Sequence, residues 1–359
     1  MQIAVIEGDD AAPEGMRPSV EILDRLNTRY SLGIDWVYPP VGATAERELG
    51  SPFPDEARHM IDTATTTYFG STSGAASRAL FYLRWGKETF ANVRPCRYFR
   101  GMRSPLSDPE GIDFVIVREN LEDLYLGIEG ELDELRGLNL PQRTRRGALA
   151  DLGEGRYAVK AITRNGTERV VRFAFELAQA RAEERGQAPH LTCTAKYNML
   201  ARSDGYFVEI ARDLATEYPD VELGTFIIDD FACRIITQPQ SLDVVVMPNL
   251  YGDIMSDAAA GLIGGLGLAA SGCYGVDYAY FESAHGTAPD IAGQNVINPT
   301  ATLLSGAMMF RYLGFAAAAE TLEHAIQAVY AAGLVLPRDQ GGQASTTDFC
   351  AQIVKQIGM

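Results

Sequence analysis

Two aspartates four positions apart are the first residues whose spacing suggests chemistry. Asp253 and Asp257 lie in the stretch NLYGDIMSDAAAGLIGGLG and share one face if this stretch is helical. Carboxylates held that close repel each other unless a cation lies between them, and their oxygens suit Mg²⁺ or Mn²⁺. They also follow an apolar strand, where α/β sheets usually bind ligands. The alternative is that they are ordinary acids near a helix start, stabilised by the helix dipole.

Arginines crowd into one part of a chain that is otherwise acidic. They are Arg84, Arg94, Arg97, Arg100, Arg103 and Arg118. Arg118 lies near the end of the apolar run DFVIVRE, and arginine binds carboxylates through two parallel hydrogen bonds. One interpretation is a site for a small anionic substrate. The other is that each arginine neutralises a nearby acid.

Lys196 and Tyr125 are further candidates for acid–base chemistry. Lys196 ends the apolar run HLTCTAK and could point into a cleft or cap the sheet. Tyr125 lies seven residues after Arg118 and could be a proton donor or a core side chain. The residues alone leave both assignments open.

An α/β architecture would position these residues. Five short apolar runs predict buried parallel strands: QIAVIE (2–7), DFVIVRE (113–119), HLTCTAK (190–196), FIID (226–229) and DVVVMPN (243–249). Helices are predicted between and after them, over 19–29, 78–90, 168–185 and 203–217, with two more in the tail 316–359. Strands that alternate with helices predict the α/β class. The basic segment 135–165 breaks this pattern and predicts a surface insertion or a dimerisation arm.

The glycines after the two aspartates do not predict a dinucleotide-binding loop. Gly265, Gly267 and Ala270 fit G-x-G-x-x-A, but that fingerprint needs a strand directly before it and a helix that begins at it. The residues before it look helical instead. We interpret these small residues as positions of close packing at a helix end.

The composition argues against several classes of protein. The chain has 359 residues, more than one hydrophobic core usually serves, and its 47% hydrophobic residues suffice for folded cores. A formal net charge of −16 disfavours binding to nucleic acid. Five scattered cysteines without a CxxC pair, and the lack of a signal peptide or a membrane-spanning run, predict a cytoplasmic protein.

Six segments, in order along nearly the whole chain, resemble the β-decarboxylating dehydrogenases, the family of isocitrate and isopropylmalate dehydrogenases. They are ANVRP (91–95), VRENLEDLYLGIE (117–129), TAKYNML (194–200), VVMPNLYGDIMSD (245–257), GLIGGLGLAASG (261–272) and HGTAPDIAGQNVINPTA (285–301). The likeness is strongest to isocitrate dehydrogenases. It implies the family's two-domain α/β fold, which is not a Rossmann fold. The large cofactor-binding domain would comprise 1–99 and 255–359, and the small domain 100–254 would carry the dimer interface and an arm at about 130–165.

The resemblance implies how a small hydroxy acid is held. Three arginines of relatives bind the malate part of the substrate, and they correspond here to Arg84, Arg94 and Arg118. Ser77 and Arg78 lie in the preceding helix, which in relatives contacts the rest of the substrate. We expect all five residues to bind the substrate.

The resemblance also implies the catalytic and metal-binding residues. Tyr125 matches the general acid and Lys196 the general base. Asp253 and Asp257 match ligands of Mg²⁺ or Mn²⁺, and Asp229 matches the third ligand. Family members supply this third aspartate and the lysine from the neighbouring subunit, so the active site would exist only in a homodimer.

The implied reaction is the oxidative decarboxylation of a 3-carboxy-2-hydroxy acid to a 2-oxo acid and CO₂. Asp290 stands where NAD-using relatives have an acid that binds the adenosine ribose, whereas NADP-using relatives have a basic residue there. A carboxylate would repel the 2′-phosphate of NADP, so NAD is expected. His285, Gly286 and Asn298 match contacts on the adenine side.

One departure from the family lies near the N-terminus. Relatives have GDGIGPE, and this chain has GDDAAPE, so Asp10 and Ala12 replace two glycines. A residue other than glycine would be strained there if the backbone needed positive φ, and the loop could differ from that of relatives.

A second departure concerns the helix before Arg84. Isocitrate dehydrogenases have serine six positions before this arginine and asparagine four before, isopropylmalate enzymes have leucine four before, and homoisocitrate enzymes have arginine three before. This chain has Arg78, Leu80 and Phe81 at these positions and matches none of the three sets. Arg78 could bind a distal carboxylate, as in an isocitrate-like substrate, or a distal phosphonate. Alternatively Arg78 faces solvent and Leu80 lines an apolar pocket.

Several alternatives therefore stay open. The substrate could be a phosphonate analogue of isocitrate, or could be of the isopropylmalate, homoisocitrate or tartrate type. A regulatory subunit without catalysis is the alternative outside the enzymes. It predicts loss of catalytic residues, whereas Tyr125, Lys196 and the three metal-site aspartates are all present.

Overall fold

Strands and helices alternate along the residues that a computed structural model describes, which are 1–138, 140–142 and 147–358. The strands are β1 (Gln2–Ile6), β2 (Asp35–Val37), β3 (Thr66–Phe69), β4 (Ala91–Arg97), β5 (Asp113–Glu119), β6 (Glu129–Glu131), β7 (Arg156–Ala158), β8 (His190–Ala195), β9 (Glu222–Ile227), β10 (Val244–Met247), β11 (Ala270–Tyr274) and β12 (Ala279–Ser283). The α-helices are α1 (Ala12–Tyr30), α2 (Gly42–Leu49), α3 (Asp55–Thr63), α4 (Ser77–Phe81), α5 (Arg164–Arg185), α6 (Asp204–Ala215), α7 (Ile228–Thr237), α8 (Asn249–Ile263), α9 (Thr300–Tyr312), α10 (Ala316–Ala332) and α11 (Thr346–Ile357).

Ten of the described strands form one mixed sheet, and β6 and β7 form a small separate sheet. The order in the large sheet is β2-β1-β3-β12-β11-β4-β5-β10-β8-β9. β5, β10, β8 and β9 pair in parallel, so their carboxyl ends meet at one edge. β4 and β11 run antiparallel to their neighbours in the middle of the sheet. The predicted α/β class is confirmed, as is parallel pairing for each of the five predicted strands.

The predicted strand 226–229 needs a correction. β9 ends at Ile227, and residues 228 and 229 begin α7. The backbone is extended at Ile227, and the first turn of α7 carries Asp229 and Asp230, where the helix dipole favours negative charge. Asp229 therefore lies in the first turn of a helix rather than at the end of a strand.

Helix boundaries also differ from those predicted. The first helix begins at Ala12, seven residues earlier than expected, with Pro13 in its first turn and Pro18 inside it. The helix predicted over 78–90 is short: α4 ends at Phe81 and continues as a π-helical turn, Tyr82–Gly86, which carries Arg84. The predicted pair of C-terminal helices is confirmed as α10 and α11, although Met359 lies outside the described residues.

Hydrophobic cores lie against both faces of the large sheet. One cluster includes Phe310, Ile326 and Phe349 from α9, α10 and α11. Another packs Phe175 of α5 and Phe207 of α6 against β8 and β10. The division into domains 1–99 with 255–359 and 100–254 stays a prediction, and its boundary at 254/255 falls inside α8.

The segment predicted to form a dimerisation arm contains β6, β7 and short 3₁₀ helices. Residues 139 and 143–146 of this prediction lie outside the described residues. Its role in dimerisation stays a prediction. Among the helices that the structure describes, none is long and apolar enough to cross a membrane.

Candidate active site

α8 carries the two aspartates at the carboxyl edge of the sheet. The helix begins at Asn249, directly after β10, and both side chains are partly exposed. Arg118 Nη1 donates to Asp253 Oδ1, and the Tyr125 hydroxyl donates to Asp253 Oδ2. Arg94 Nη1 lies 3.2 Å from Asp257 Oδ1 and 3.5 Å from Asp253 Oδ1, so one guanidinium serves both carboxylates. The predicted shared helical face is confirmed.

The surroundings give the two carboxyl groups different acidities. Burial alone would raise the pKa of Asp253, but Arg118, the hydrogen bond from Tyr125 and Arg94 hold it below its usual value. Burial raises the pKa of Asp257, and the charge of Asp253 adds to this effect while Arg94 opposes it. Asp253 is therefore the more firmly ionised member of the pair.

The buried Arg118 and the partly buried Arg84, next to the aspartates, have unused hydrogen-bond donors. Arg118 is 1% exposed, and its Nε donates to Asn249 Oδ1 at 2.9 Å. Arg118 Nη2 and Arg84 Nε are buried and have no hydrogen-bond partner among the described residues. A buried donor left unpaired costs about 1–3 kcal/mol, and these two groups are available to an acceptor on a ligand. Burial, together with Arg94, lowers the pKa of Arg118 to about 10.

Arg94 lies on β4, and its side chain is hydrogen-bonded to α8. Its Nη1 donates to Ser256 Oγ at 2.7 Å, and its Nε donates to Asn92 Oδ1 at 3.3 Å. This links the middle of the sheet to the face of α8 that carries the aspartates.

Glu282 on β12 is a site residue that the sequence reasoning missed. Burial raises the pKa of this carboxyl group, whereas Arg84, Arg94 and Arg118 act in the opposite direction. Burial would lower the pKa of Arg84, but Tyr280 and Glu282 raise it above its usual value. An acid inside the apolar run AYFES was the available signal.

Tyr125 lies in a 3₁₀ helix, Leu124–Leu126, that follows β5. The Arg118 guanidinium lies 4.8 Å from the centre of its ring. Burial and the hydrogen bond to Asp253 raise the pKa of Tyr125. The phenol therefore keeps its proton at neutral pH, as a general acid requires.

Lys196 and Asp229 form a second cluster. Lys196 follows β8, and its Nζ donates to Asp229 Oδ1 at the start of α7. This hydrogen bond is the main reason that the pKa of Asp229 is lowered. No group of three or more metal-binding side chains occurs in the described part of the chain, so the structure does not join Asp229 to Asp253 and Asp257 within one subunit.

A cavity of about 440 Å³ lies where the cofactor residues were predicted. His285, Gly286 and Asn298 line it together with Arg338, whereas Asp290 is exposed next to it in a 3₁₀ helix, Pro289–Ile291. His285 Nε2 is buried without a hydrogen-bond partner among the described residues. Burial lowers the pKa of His285, so the imidazole is neutral and can bind a polar ligand group.

The residues predicted to contact the substrate's substituent lie on α4. Ser77 and Leu80 are partly buried, and Arg78 is exposed without an ion pair to any described residue. Phe81 is 53% exposed, and its ring packs against Trp85 at 5.3 Å between centroids. Cationic and aromatic surfaces therefore lie side by side on the turns before Arg84.

The altered N-terminal loop is accommodated without strained alanines. Asp10 has a positive φ of 53°, in the left-handed region that aspartate tolerates better than most residues, and Ser73 Oγ donates to its side chain. Ala12 lies in α1, and Gly8 keeps a φ of 84°. Of the two positions where relatives have glycine, only Asp10 has a positive φ in this chain.

The glycine-rich end of α8 is not a nucleotide loop. Gly264 and Gly265 have φ of 131° and 123°, and the chain continues into a 3₁₀ helix, Leu266–Leu268, and then β11. No α-helix begins at the glycines in this described segment. The rejection of the dinucleotide fingerprint is confirmed.

Unused arginine donors thus lie beside the paired carboxylates at the carboxyl edge of the sheet. A separate cavity is lined in part by Leu266 and Gly267, which follow the end of α8. The sequence places this site among known proteins. The chain belongs to the isocitrate/isopropylmalate dehydrogenase family, whose family model matches residues 2–357. Members of this family are metal-dependent decarboxylating dehydrogenases that use NAD or NADP.

Individual relatives support this assignment. The 3-isopropylmalate/3-methylmalate dehydrogenase of Methanocaldococcus jannaschii is 38% identical over 356 residues, which cover 99% of this chain and 98% of that protein. The NADP isocitrate dehydrogenase of Thermus thermophilus is 35% identical over 370 residues, which cover 99% of this chain and 68% of that protein. The crystal structure of isocitrate dehydrogenase from Methylococcus capsulatus superposes with a TM-score of 0.85 at 33% identity, covering 100% of this chain and 99% of that one. The fold that the resemblance implied is therefore confirmed.

Proposed function

We propose that the protein catalyses the NAD-dependent oxidative decarboxylation of a 3-carboxy-2-hydroxy acid that carries a distal anionic group. The observation that carries this proposal is the pair of buried, unused donors, Arg84 Nε and Arg118 Nη2, beside Asp253 and Asp257. These donors fit the carboxylates of a malate group, and the aspartates fit a hard divalent cation.

The residues of this chain would have separate roles in such a reaction. Arg84, Arg94 and Arg118 orient the substrate, and Lys196 removes the proton of its 2-hydroxyl group. Asp253 and Asp257 would hold Mg²⁺ or Mn²⁺, which supplies Lewis-acid chemistry, and NAD supplies the hydride acceptor.

After CO₂ leaves, Tyr125 donates a proton to the carbon atom that carried the lost carboxylate. The raised pKa of this phenol keeps the proton available at neutral pH. Removing a general acid of this kind typically lowers the rate by about 10²–10⁴-fold.

The proposed enzyme is a cytoplasmic homodimer with shared sites. Lys196 pairs with Asp229 at a cluster of its own, whereas Tyr125 contacts Asp253. This separation supports a site in which each subunit uses its own Tyr125 and receives Lys196 and Asp229 from its neighbour.

NAD is the proposed cofactor because Asp290 lies beside the cavity that His285 and Asn298 line. Its carboxylate would bind ribose hydroxyls and repel a 2′-phosphate. Arg338 lines the same cavity, and its positive charge would favour the 2′-phosphate of NADP. NADP is therefore the alternative cofactor. The ratio of kcat/KM with the two cofactors decides between them, and a preference for NADP would refute this part of the proposal.

The distal anion is proposed because Arg78 is exposed on α4 without an ion pair among the described residues. A charged hydrogen bond is worth about 1.5–3 kcal/mol. Arg78→Ala should therefore lower kcat/KM for the preferred anionic substrate by about 10–100-fold. The matched control is Arg25→Ala, which removes an arginine that is also exposed but lies on α1, and it should have no such effect.

A substrate with an apolar substituent is the second candidate. Leu80 and the exposed Phe81 favour it, and one relative is named as acting on 3-isopropylmalate and 3-methylmalate. Steady-state kinetics on isocitrate, homoisocitrate, a phosphonomethyl analogue, D-malate, tartrate and isopropylmalate separate the two. If isopropylmalate is preferred and Arg78→Ala changes nothing, the distal anion is refuted and the apolar candidate stands.

A further inference from the structure

Lys160 is a nearly buried lysine that contacts two fully buried carboxylates. Its side chain is 14% exposed, and those of Asp123 and Asp204 are 0% exposed. Lys160 Nζ lies 2.6 Å from Asp204 Oδ1 and 3.4 Å from Asp123 Oδ1. It also lies 4.5 Å from the centre of the Tyr251 ring, in the first turn of α8. One ammonium group thus compensates two charges that lie outside the set of substrate and metal residues.

Asp204 fixes the chain at the proposed general base. Its Oδ2 accepts from the backbone N–H of Lys196 at 2.8 Å and from the Tyr251 hydroxyl at 2.9 Å. Its Oδ1 forms no hydrogen bond with the described residues and has only the ion pair with the Lys160 ammonium, at 2.6 Å, to compensate its charge. Without Lys160, this buried oxygen would carry charge that nothing neutralises.

Asp123 fixes the chain at the proposed general acid. Its Oδ1 accepts from the N–H of Leu124, which precedes Tyr125, at 2.8 Å. Its Oδ2 accepts from the N–H of Leu250 in α8, at 3.1 Å. The backbone of Asp123 has a φ of 68°, which residues other than glycine rarely adopt, so these contacts must hold an unfavourable turn in place.

We propose that Lys160 is a positioning residue shared by two half-sites, the acid half at Tyr125 and the base half at Lys196. Through Asp123 it places Tyr125, which the chain uses in its own active site. Through Asp204 it places Lys196, which the chain lends to its neighbour. This inference rests on the proposed function, because it takes the shared sites of the homodimer as given. Loss of Lys160 leaves two buried carboxylates uncompensated, and both turns then relax away from their working positions.

Lys160→Met is the first test, and Lys87→Met is its matched control. Lys87 Nζ lies 2.6 Å from Asp62 Oδ1 and its side chain is 18% exposed, so this lysine is about as buried as Lys160, but its partner carboxylate is 40% exposed. Displacing reacting groups by about 1 Å costs about 100-fold in rate. We expect Lys160→Met to lower kcat by at least about 10-fold with KM little changed, whereas Lys87→Met lowers thermal stability without this loss in kcat. A fall in melting temperature alone, with kcat unchanged, would overturn the proposal.

Mixed dimers of two differently tagged subunits test each half-site separately. A dimer of Tyr125→Phe with Lys196→Met retains one intact site and sets the reference activity. Lys160→Met paired with Tyr125→Phe reports on the acid half, because its remaining site uses the Lys160→Met chain's own Tyr125. Lys160→Met paired with Lys196→Met reports on the base half. Its remaining site combines Tyr125 of the Lys196→Met chain with Lys196 of the Lys160→Met chain.

Both mixed dimers should show at least about a 10-fold lower kcat than the reference dimer. Reference activity in either of them would overturn the role of Lys160 in that half-site. If Lys160→Met does not fold, Lys160→Gln takes its place in the same pairings, since an amide can still donate to Asp204. If the reference dimer itself recovers no activity, the shared site of the proposed function fails, and this outcome is distinct from failure of Lys160.

Discussion

Gly252 in α8 packs directly against Arg118, so its replacement by alanine tests how tightly that arginine is held. A Cβ at position 252 would lie 2.6 Å from both Cβ and Cγ of Arg118 and 3.0 Å from its Cα. Arg118 is 1% exposed and cannot simply swing into solvent. Such overpacking costs about 1–3 kcal/mol, whereas alanine in a helix gains about 1 kcal/mol over glycine. We expect Gly252→Ala to change the free energy of unfolding by between about zero and −2 kcal/mol.

Gly261→Ala in the same helix is the matched control. An added Cβ at this exposed position has nothing within 4 Å, so only the gain in helix propensity remains. The control should be more stable than the unmodified protein by about 0.5–1 kcal/mol. Because helix propensity cancels, the difference between the two variants in urea denaturation should be about 1–3 kcal/mol.

Activity gives the second measurement on this pair. A displaced Arg118 no longer meets Asp253 and the substrate in the same place, so kcat/KM should fall by about 10–100-fold in Gly252→Ala. It should be unchanged in Gly261→Ala. The assay is NADH absorbance with the best substrate from the panel. If Gly252→Ala were as stable and as active as Gly261→Ala, Arg118 would not be tightly confined and the reasoning would be refuted.

Two further predictions concern the metal and the cofactor cavity. Mn²⁺ should raise the melting temperature of the unmodified protein, because a ligand at 100 times its Kd stabilises the folded state by about 2.7 kcal/mol. Asp253→Asn should abolish this rise, because it removes a proposed ligand of the cation. An unchanged Mn²⁺ effect would count against Asp253 as a ligand. Burial lowers the pKa of His285, so below about pH 6.5 the unfolded chain takes up a proton before the folded chain does. Stability should therefore fall as pH drops below about 6.5, and less so in His285→Gln, as measured by urea denaturation from pH 5 to 8. Parallel curves for the two proteins would contradict this.

The parts of the fold that local patterns determine could be predicted from the sequence. The run DFVIVRE is β5 residue for residue, since both of its faces are buried and an unbroken apolar run specifies such a strand. Asp253 and Asp257 share a face because four-residue spacing in a helix fixes that relation without any other element.

Strands whose neighbours are remote in sequence could not be predicted in the same way. β4 contains Arg94 and Pro95 and β11 contains Gly272, so neither looks like a buried strand, yet both lie in the middle of the sheet. Their position depends on antiparallel pairing with each other and, for β4, with β5. No local periodicity encodes that pairing.

The missed site residues follow the same rule. Glu282 lies beside Arg84 only because β12 and the π-helical turn come together in the fold. Lys160 meets Asp123 and Asp204 from a segment that looked like a surface insertion. A lone charge in sequence gives no sign of a buried partner, so these residues needed the structure.

The charge balance of the proposed site would allow a chain of net charge −16 to bind an anionic substrate. In the described residues Arg118 and Arg94 are neutralised by Asp253 and Asp257, with donors to spare. A divalent cation on the aspartates would release these arginines at the same place where an anionic substrate needs them. The anionic substrate would neutralise the arginines that the cation releases, and the cation would neutralise the aspartates. The net charge of the site would therefore be similar with both ligands bound and with neither.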